Sequence, residues 1–178
     1  VSDEVLYSDS MPLGMIKVDQ DSYEKILLNE LENFLDPLKA TTILICGMAG
    51  SRQGWKEVPY ISVPCKPPEL PDAVSVECKD SRISVSILPG VKQDDPTDIM
   101  RGEETQIKGI LQTYENFEGI VCLPGTHTKW VRISAGEIVS FQTFMTGELF
   151  SLLSEQSVLK HSISEIGWDE DVLKKSVE

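Results

Sequence analysis

Three short segments concentrate the residue types that could do chemistry. Gly47-Met48-Ala49-Gly50-Ser51-Arg52-Gln53-Gly54-Trp55 joins three glycines to a guanidinium and an indole. Glycine lets a backbone approach a ligand closely, Arg52 can grip a carboxylate or phosphate bidentately, and Trp55 offers a flat apolar wall. Pro124-Gly125-Thr126-His127-Thr128-Lys129-Trp130 can turn backbone N–H groups and two threonine hydroxyls toward a phosphate, with Lys129 adding charge. Asp98-Ile99-Met100-Arg101-Gly102-Glu103-Glu104 sets a guanidinium beside carboxylates, which could hold an anionic substrate and a base together. Each has a plainer reading: a glycine-rich turn, an ordinary hairpin, and a helix start with solvated charges. His127 is a candidate acid or base for which the sequence places no partner, and such a histidine is more often simply a loop residue.

Other arrangements are excluded. The first loop lacks the lysine of a Walker loop, GxGxxG does not occur, and there is no GxSxG, HExxH or EF-hand pattern. Asp94, Asp95 and Asp98 match no known metal cage and read as an acidic, solvated loop.

The elements that must position these segments follow from periodicity. Apolar residues from Tyr23 to Leu38 recur at helical spacing, and Thr41 to Cys46 is a β-branched run that suits a strand buried on both faces. Four prolines between Val63 and Asp72 predict a surface loop. Arg82 to Leu88 alternates as a half-buried strand ending at Pro89-Gly90, and a second helix begins near Glu103. From Gly119 the pattern becomes an antiparallel meander: strand 120–123, a tight loop, strand 129–134, the turn Ala135-Gly136, strand 137–144, then a helix over 148–155. The order is that of an α/β protein, with a domain boundary near residue 116.

Composition narrows the class of partner. The 178 residues carry 16 Lys+Arg against 29 Asp+Glu, a net charge of −13, which argues against a general nucleic-acid binder because phosphate neutralisation needs surplus basic side chains. No apolar run is long enough to span a bilayer, and the first residues lack the pattern of a signal peptide. Cys46, Cys65, Cys78 and Cys122 show no CxxC spacing, so the expectation is buried free thiols in a reducing cytoplasm.

Four blocks, taken in order, carry a resemblance: Gly47 to Trp55 with Pro59-Tyr60, Met100 to Gln106, Leu123 to Val131, and Thr143 to Phe150. Together they resemble the 2-dehydro-3-deoxygalactonokinases. The resemblance implies transfer of the ATP γ-phosphate, with Mg²⁺, to the 6-hydroxyl of a small-molecule 2-keto-3-deoxy sugar acid. It also implies the actin-like ATPase architecture, two ribonuclease-H-like domains around a cleft. Residues 1–116 are then the remainder of the N-terminal domain, and 117–178 are the start of the C-terminal domain with its phosphate hairpin.

On this footing Gly125, Thr126, His127, Thr128 and Lys129 are assigned to the nucleotide, and Arg52, Gln53, Trp55 and Arg101 to the substrate. Glu104 or Glu103 is the expected base, with Asp98 behind them. Metal ligands stay unassigned, and a homo-oligomer stays open. The hairpin opens with Pro124-Gly125 where related kinases often carry Asp-x-Gly, and the first phosphate loop and the adenosine-contacting half have no counterpart. The chain is therefore expected to be the middle of a longer enzyme. The rivals are an exopolyphosphatase-like phosphohydrolase of the same superfamily and a non-catalytic sugar-acid-binding remnant.

Overall fold

The computed structural model describes residues 4–14, 18–163 and 169–177. Its strands are β1 (Thr41–Ile45), β2 (Ile61–Ser62), β3 (Val74–Val76), β4 (Ile83–Ile87), β5 (Val91–Asp94), β6 (Thr97–Met100), β7 (Gly119–Leu123), β8 (Thr128–Ser134) and β9 (Glu137–Phe144). The helices are α1 (Tyr23–Leu31), α2 (Glu103–Thr113), α3 (Thr146–Gln156) and α4 (Glu170–Val177). Mixed sheets with helices make it an α/β protein. None of its described helices is long and apolar enough to cross a membrane.

The strands form three small sheets, ordered β1-β4-β3, β2-β5-β6 and β7-β8-β9. β1 runs parallel to β4 and β2 parallel to β5, while the remaining pairs are antiparallel. The first two sheets share a continuous chain, because β4 passes through the buried Leu88-Pro89-Gly90 into β5. β8 alternates as a strand with one covered face should: Val131 and Ile133 point inward, Trp130 and Arg132 outward. Ala135 and Gly136 take φ of 50° and 74°, the left-handed pair that matches a two-residue hairpin turn to strand twist.

One apolar cluster joins the second and third sheets. Val91, Met100 and Ile107 meet Val121, Val131, Ile138 and Phe141, so chain on both sides of residue 116 packs into the same core. Each such fully buried aliphatic side chain contributes about 1.5–3 kcal/mol relative to exposure. Gln93 links the sheets by polar bonds: its Nε2 donates to the carbonyls of Pro96 (2.8 Å) and Phe141 (3.2 Å), and its Oε1 accepts from the Phe141 N–H (3.0 Å). These bonds satisfy a buried amide that would otherwise be costly.

Several sequence expectations are corrected. Among the described residues β1 is an edge strand rather than one buried on both faces: it pairs there with β4 alone, and its Leu44 is 48% exposed. The Val63–Asp72 segment is not simply a surface loop. Pro67 and Pro68 are buried, and Cys65 exchanges backbone hydrogen bonds with Ile138 of β9 (3.1 and 2.7 Å). The acidic loop around Asp94 is the hairpin β5-β6 turning at Asp95-Pro96, its strands disguised by the charges on their exposed positions. α1 stops at Leu31 and continues only as a 3-10 turn over Glu32–Phe34. All four cysteines are free, but none is buried: Cys46 and Cys122 are exposed, Cys65 and Cys78 partly so.

Candidate active site

The three chemistry-bearing segments converge. The loop after β1 and the start of α2 meet at two glycines, Gly47 with φ 84° and Gly102 with φ 110°. A Cβ on Gly102 would lie 3.3 Å from the Gly47 Cα, so both the backbone angle and the close approach call for glycine. The β7-β8 hairpin closes the third side. Between them lies a cleft of about 390 Å³ whose walls include Arg52, Gln53, Arg101, Glu103, His127 and Lys129. A second recess of about 330 Å³ continues from Arg101 and Glu103 to Gly125, Thr126 and His127. This is the size range of small-molecule sites.

On the first wall, Arg52 and Gln53 are exposed to the cleft. Arg101 is only 9% exposed, and its guanidinium is turned into the protein. Its Nη2 donates to the Val58 carbonyl (2.7 Å), its Nε donates to the Tyr60 hydroxyl (3.3 Å), and its plane stacks 4.2 Å from the Tyr60 ring centroid. The buried Nη1 has no hydrogen-bond partner among the described residues. Trp55 does not line the cleft. Its ring stacks on Tyr23 at 5.8 Å and its carbonyl accepts from Gln20 Nε2. Ser51, Glu57 and Tyr60 do line it and were not assigned from sequence. Tyr60 lay within the matching Pro59-Tyr60; nothing in local pattern marks Glu57.

The three candidate carboxylates separate by environment. Glu103 faces both recesses while its Oε2 accepts the Arg101 N–H at 2.9 Å. Glu104 is 1% exposed and lines neither; both its oxygens accept from the Gly102 N–H (2.8 and 2.7 Å). Burial pushes the Glu104 carboxyl up from its ordinary value, against the backbone N–H groups that favour the anion. Asp98 accepts from the Thr143 hydroxyl (2.7 Å) and the Ile99 N–H (2.8 Å) and stands outside both recesses.

Lys129 is 6% exposed, with its Nζ donating to the Ile99 carbonyl and the Thr143 hydroxyl, both at 2.6 Å, and 3.9 Å from Asp98. It places a fixed positive charge in the cleft wall rather than at the hairpin tip. At the tip, the amides of Gly125, Thr126 and His127 make no hydrogen bond among the described residues, and Thr126 is exposed. The tip is strapped to the start of α3. The Glu148 N–H donates to the Thr126 carbonyl (3.0 Å), the Thr128 and Thr146 hydroxyls bond to each other, and His127 Nε2 meets Glu148 Oε2 at 2.5 Å. Gly147 makes this fit: a Cβ there would sit 2.6 Å from the Gly125 carbonyl oxygen. Thr128 is therefore buried in a support role, and Thr146 and Glu148 join the site although neither was assigned from sequence.

The hairpin tip, its three amides uncommitted among the described residues, borders the second recess, which shares Arg101, Glu103 and His127 with the cleft that holds Arg52 and Lys129; the two together can bind a polyanion beside a smaller acid. Comparison with known proteins gives this a family. Among similar proteins, 2-dehydro-3-deoxygalactonokinase DgoK1 of Rhizobium meliloti (strain 1021) is 44% identical over 154 residues, covering 85% of this chain and 50% of the relative. The 2-dehydro-3-deoxygalactonokinase of Escherichia coli (strain K12) is 32% identical over 159 residues, covering 88% and 52%. A crystal structure from Sinorhizobium meliloti, described as a 2-dehydro-3-deoxygalactonokinase protein, superposes with a TM-score of 0.72 at 39% identity, over 83% of this chain and 48% of that one. The chain thus spans about half the length of the curated relatives it matches. The family model for 2-keto-3-deoxy-galactonokinase matches residues 1–178, and the chain belongs to that family.

Proposed function

We propose that the whole protein to which this chain belongs is an ATP-dependent kinase that phosphorylates the 6-hydroxyl of 2-dehydro-3-deoxygalactonate. The observation that carries the reading is the hairpin tip, its amides uncommitted among the described residues, adjoining a recess lined by Arg52, Arg101 and Lys129. ATP, when bound, supplies the phosphoryl group; Mg²⁺ would come with its phosphates. The tip fits phosphate by its donor set. The described residues hold no group of three or more His, Cys, Asp or Glu side chains suited to a metal, and Mg²⁺ is commonly held by one or two carboxylates plus substrate phosphates.

Phosphoryl transfer asks a protein mainly for positioning and charge stabilisation. The amides of Gly125, Thr126 and His127 with the Thr126 hydroxyl hold phosphate oxygens, and Thr128 fixes the hairpin. Arg52 and Gln53 bind the acid, with Arg101 and Lys129 making the wall positive. Of the carboxylates, Glu103 orients the acceptor hydroxyl, since it alone of the three lines the cleft; Glu104 and Asp98 support it from behind. The fold we propose is the ribonuclease-H-like unit of actin-like ATPases, divided near residue 116, in a cytoplasmic protein.

The test is ADP release by the full-length protein with 2-dehydro-3-deoxygalactonate, galactose or glucose as acceptor. Turnover confined to the acid is expected. Equal turnover of galactose and the acid removes the carboxylate assignment, and no turnover with any acceptor removes the kinase reading.

A further inference from the structure

The contact between His127 and Glu148 has a consequence for how the hairpin meets phosphate. A carboxylate can only accept, so the imidazole nitrogen that faces it, Nε2, must carry a proton. In the neutral ring that leaves Nδ1 as a bare lone pair, which repels a phosphate oxygen. Nδ1 donates only when the ring holds a second proton. His127 borders the cleft, the hairpin recess and the hollow beside α3, so the ring stands where all three open. We propose that Glu148 is a positioning residue that locks the Nε2 proton of His127, so that His127 binds nucleotide phosphate through Nδ1 as a cation and nucleotide affinity falls as pH rises.

The surrounding charges do not decide the matter by themselves. Glu103 and Arg101 from the start of α2, Lys129 from β8, and Arg52 and Glu57 from the loop after β1 share the cleft with His127. They are three positive and two negative groups, and among the described residues only Glu148 bonds the ring directly. The N-terminal end of α3 opposes a nearby cation, which makes the carboxylate in its first turn the group that holds the protonated ring in place. Backbone geometry supports the lock. The Glu148 N–H bond to Thr126 and the close approach of Gly147 fix the hairpin against α3 independently of the imidazole.

The inference rests on the kinase reading for its ligand but not for the lock. Calorimetric binding of adenylyl-imidodiphosphate with Mg²⁺ to the full-length protein is compared for wild type and His127→Asn, which keeps a neutral donor near the Nδ1 position. The ratio of the two affinities cancels the ligand's own titration. It should fall from roughly tenfold at acid pH, the worth of one charge-assisted hydrogen bond, to one or below at alkaline pH, where the neutral ring offers a lone pair and the asparagine still a donor. A ratio that does not vary with pH overturns the proposal. Separately, nitrogen chemical shifts of the neutral His127 ring without ligand should report one tautomer, protonated at Nε2, in the wild type and a mixture of the two in Glu148→Ala. An unchanged tautomer overturns the lock. If the nucleotide binds to neither protein, the kinase reading fails together with the phosphate contact, while the ring tautomer still decides whether Glu148 governs His127.

Discussion

The two walls of the cleft are built in opposite ways. On the wall formed by the loop after β1 and the start of α2, the buried cation, Arg101, is already committed to Val58 and Tyr60, and Lys129, set in β8 below the hairpin tip, is likewise committed to Ile99 and Thr143. On the hairpin wall the amides of Gly125, Thr126 and His127 are uncommitted among the described residues, while the residues behind them are tied to α3. One wall supplies fixed charge and the other supplies free donors on a rigid mount. That division suits a reaction whose charge develops on the transferring phosphoryl group, because donors that need no reorganisation are worth most where charge changes.

The largest expected effect separates the hairpin's tip from its mount. Gly125 has ordinary room for a side chain, its hypothetical Cβ meeting nothing closer than the His127 carbonyl at 3.7 Å, whereas Gly147 has none. In the full-length protein Gly125→Val should leave the melting temperature close to wild type and lower turnover by at least about a hundredfold, by holding phosphate off the amides. Gly147→Ala should lower turnover too, but with a displaced hairpin and a lower melting temperature. If Gly125→Val keeps full ATP-dependent activity, the hairpin is not the phosphate wall. If both variants melt early, tip and mount are one structural unit and the contrast between them fails.

The meander that carries this hairpin was legible in the sequence to within about a residue or two at each strand end, because alternation and the Ala135-Gly136 turn are strong local signals. The β5-β6 hairpin was not, since Lys92 and Asp94 charge its outer face, Asp98 puts a carboxylate on its covered face, and Asp95-Pro96 looks like plain loop. Which segments form the site could be read from residue type. Which way their side chains turn could not. Arg52 and Arg101 look alike in sequence, yet one is exposed and the other buried under Tyr60; Glu103 and Glu104 are neighbours, and helical geometry sends one to the cleft and the other inward. The partner of His127 lies 21 positions away and becomes visible only when α3 folds back on the hairpin.

A middle-sized effect tests the two arginines. Arg101→Ala removes a buried guanidinium with its hydrogen bonds and ring stacking, and should destabilise the protein by about 2–4 kcal/mol in denaturant titration. Arg52→Ala, at an exposed site, should change stability by no more than about 0.5 kcal/mol. Its cost should appear instead in catalysis, as a KM for the sugar acid raised about tenfold with KM for ATP hardly changed. An ATP-side defect in Arg52→Ala would transfer this residue to the nucleotide. A stable Arg101→Ala with a raised KM for the acid would mean that the guanidinium leaves Tyr60 to meet the substrate.

The smallest expected effect concerns Glu104, and here the sign of the pH dependence is the measurement. Burial raises its carboxyl in the folded protein above the ordinary 4.5 of the unfolded chain. Below 4.5 both states are protonated and the contribution to stability is complete. As pH rises from there through the raised folded value, the unfolded chain sheds its proton first, so the folded state loses relative stability until both forms are ionised. Glu104→Gln keeps the shape and an acceptor for the Gly102 N–H but cannot ionise. Its melting temperature should match wild type near pH 4 and gain on it steadily toward neutral pH. Turnover should survive, because Glu104 lines neither recess, while Glu103→Gln should lose it. A Glu104→Gln protein that is inactive yet folded would make the buried carboxyl the base, and would require the start of α2 to open when substrate binds.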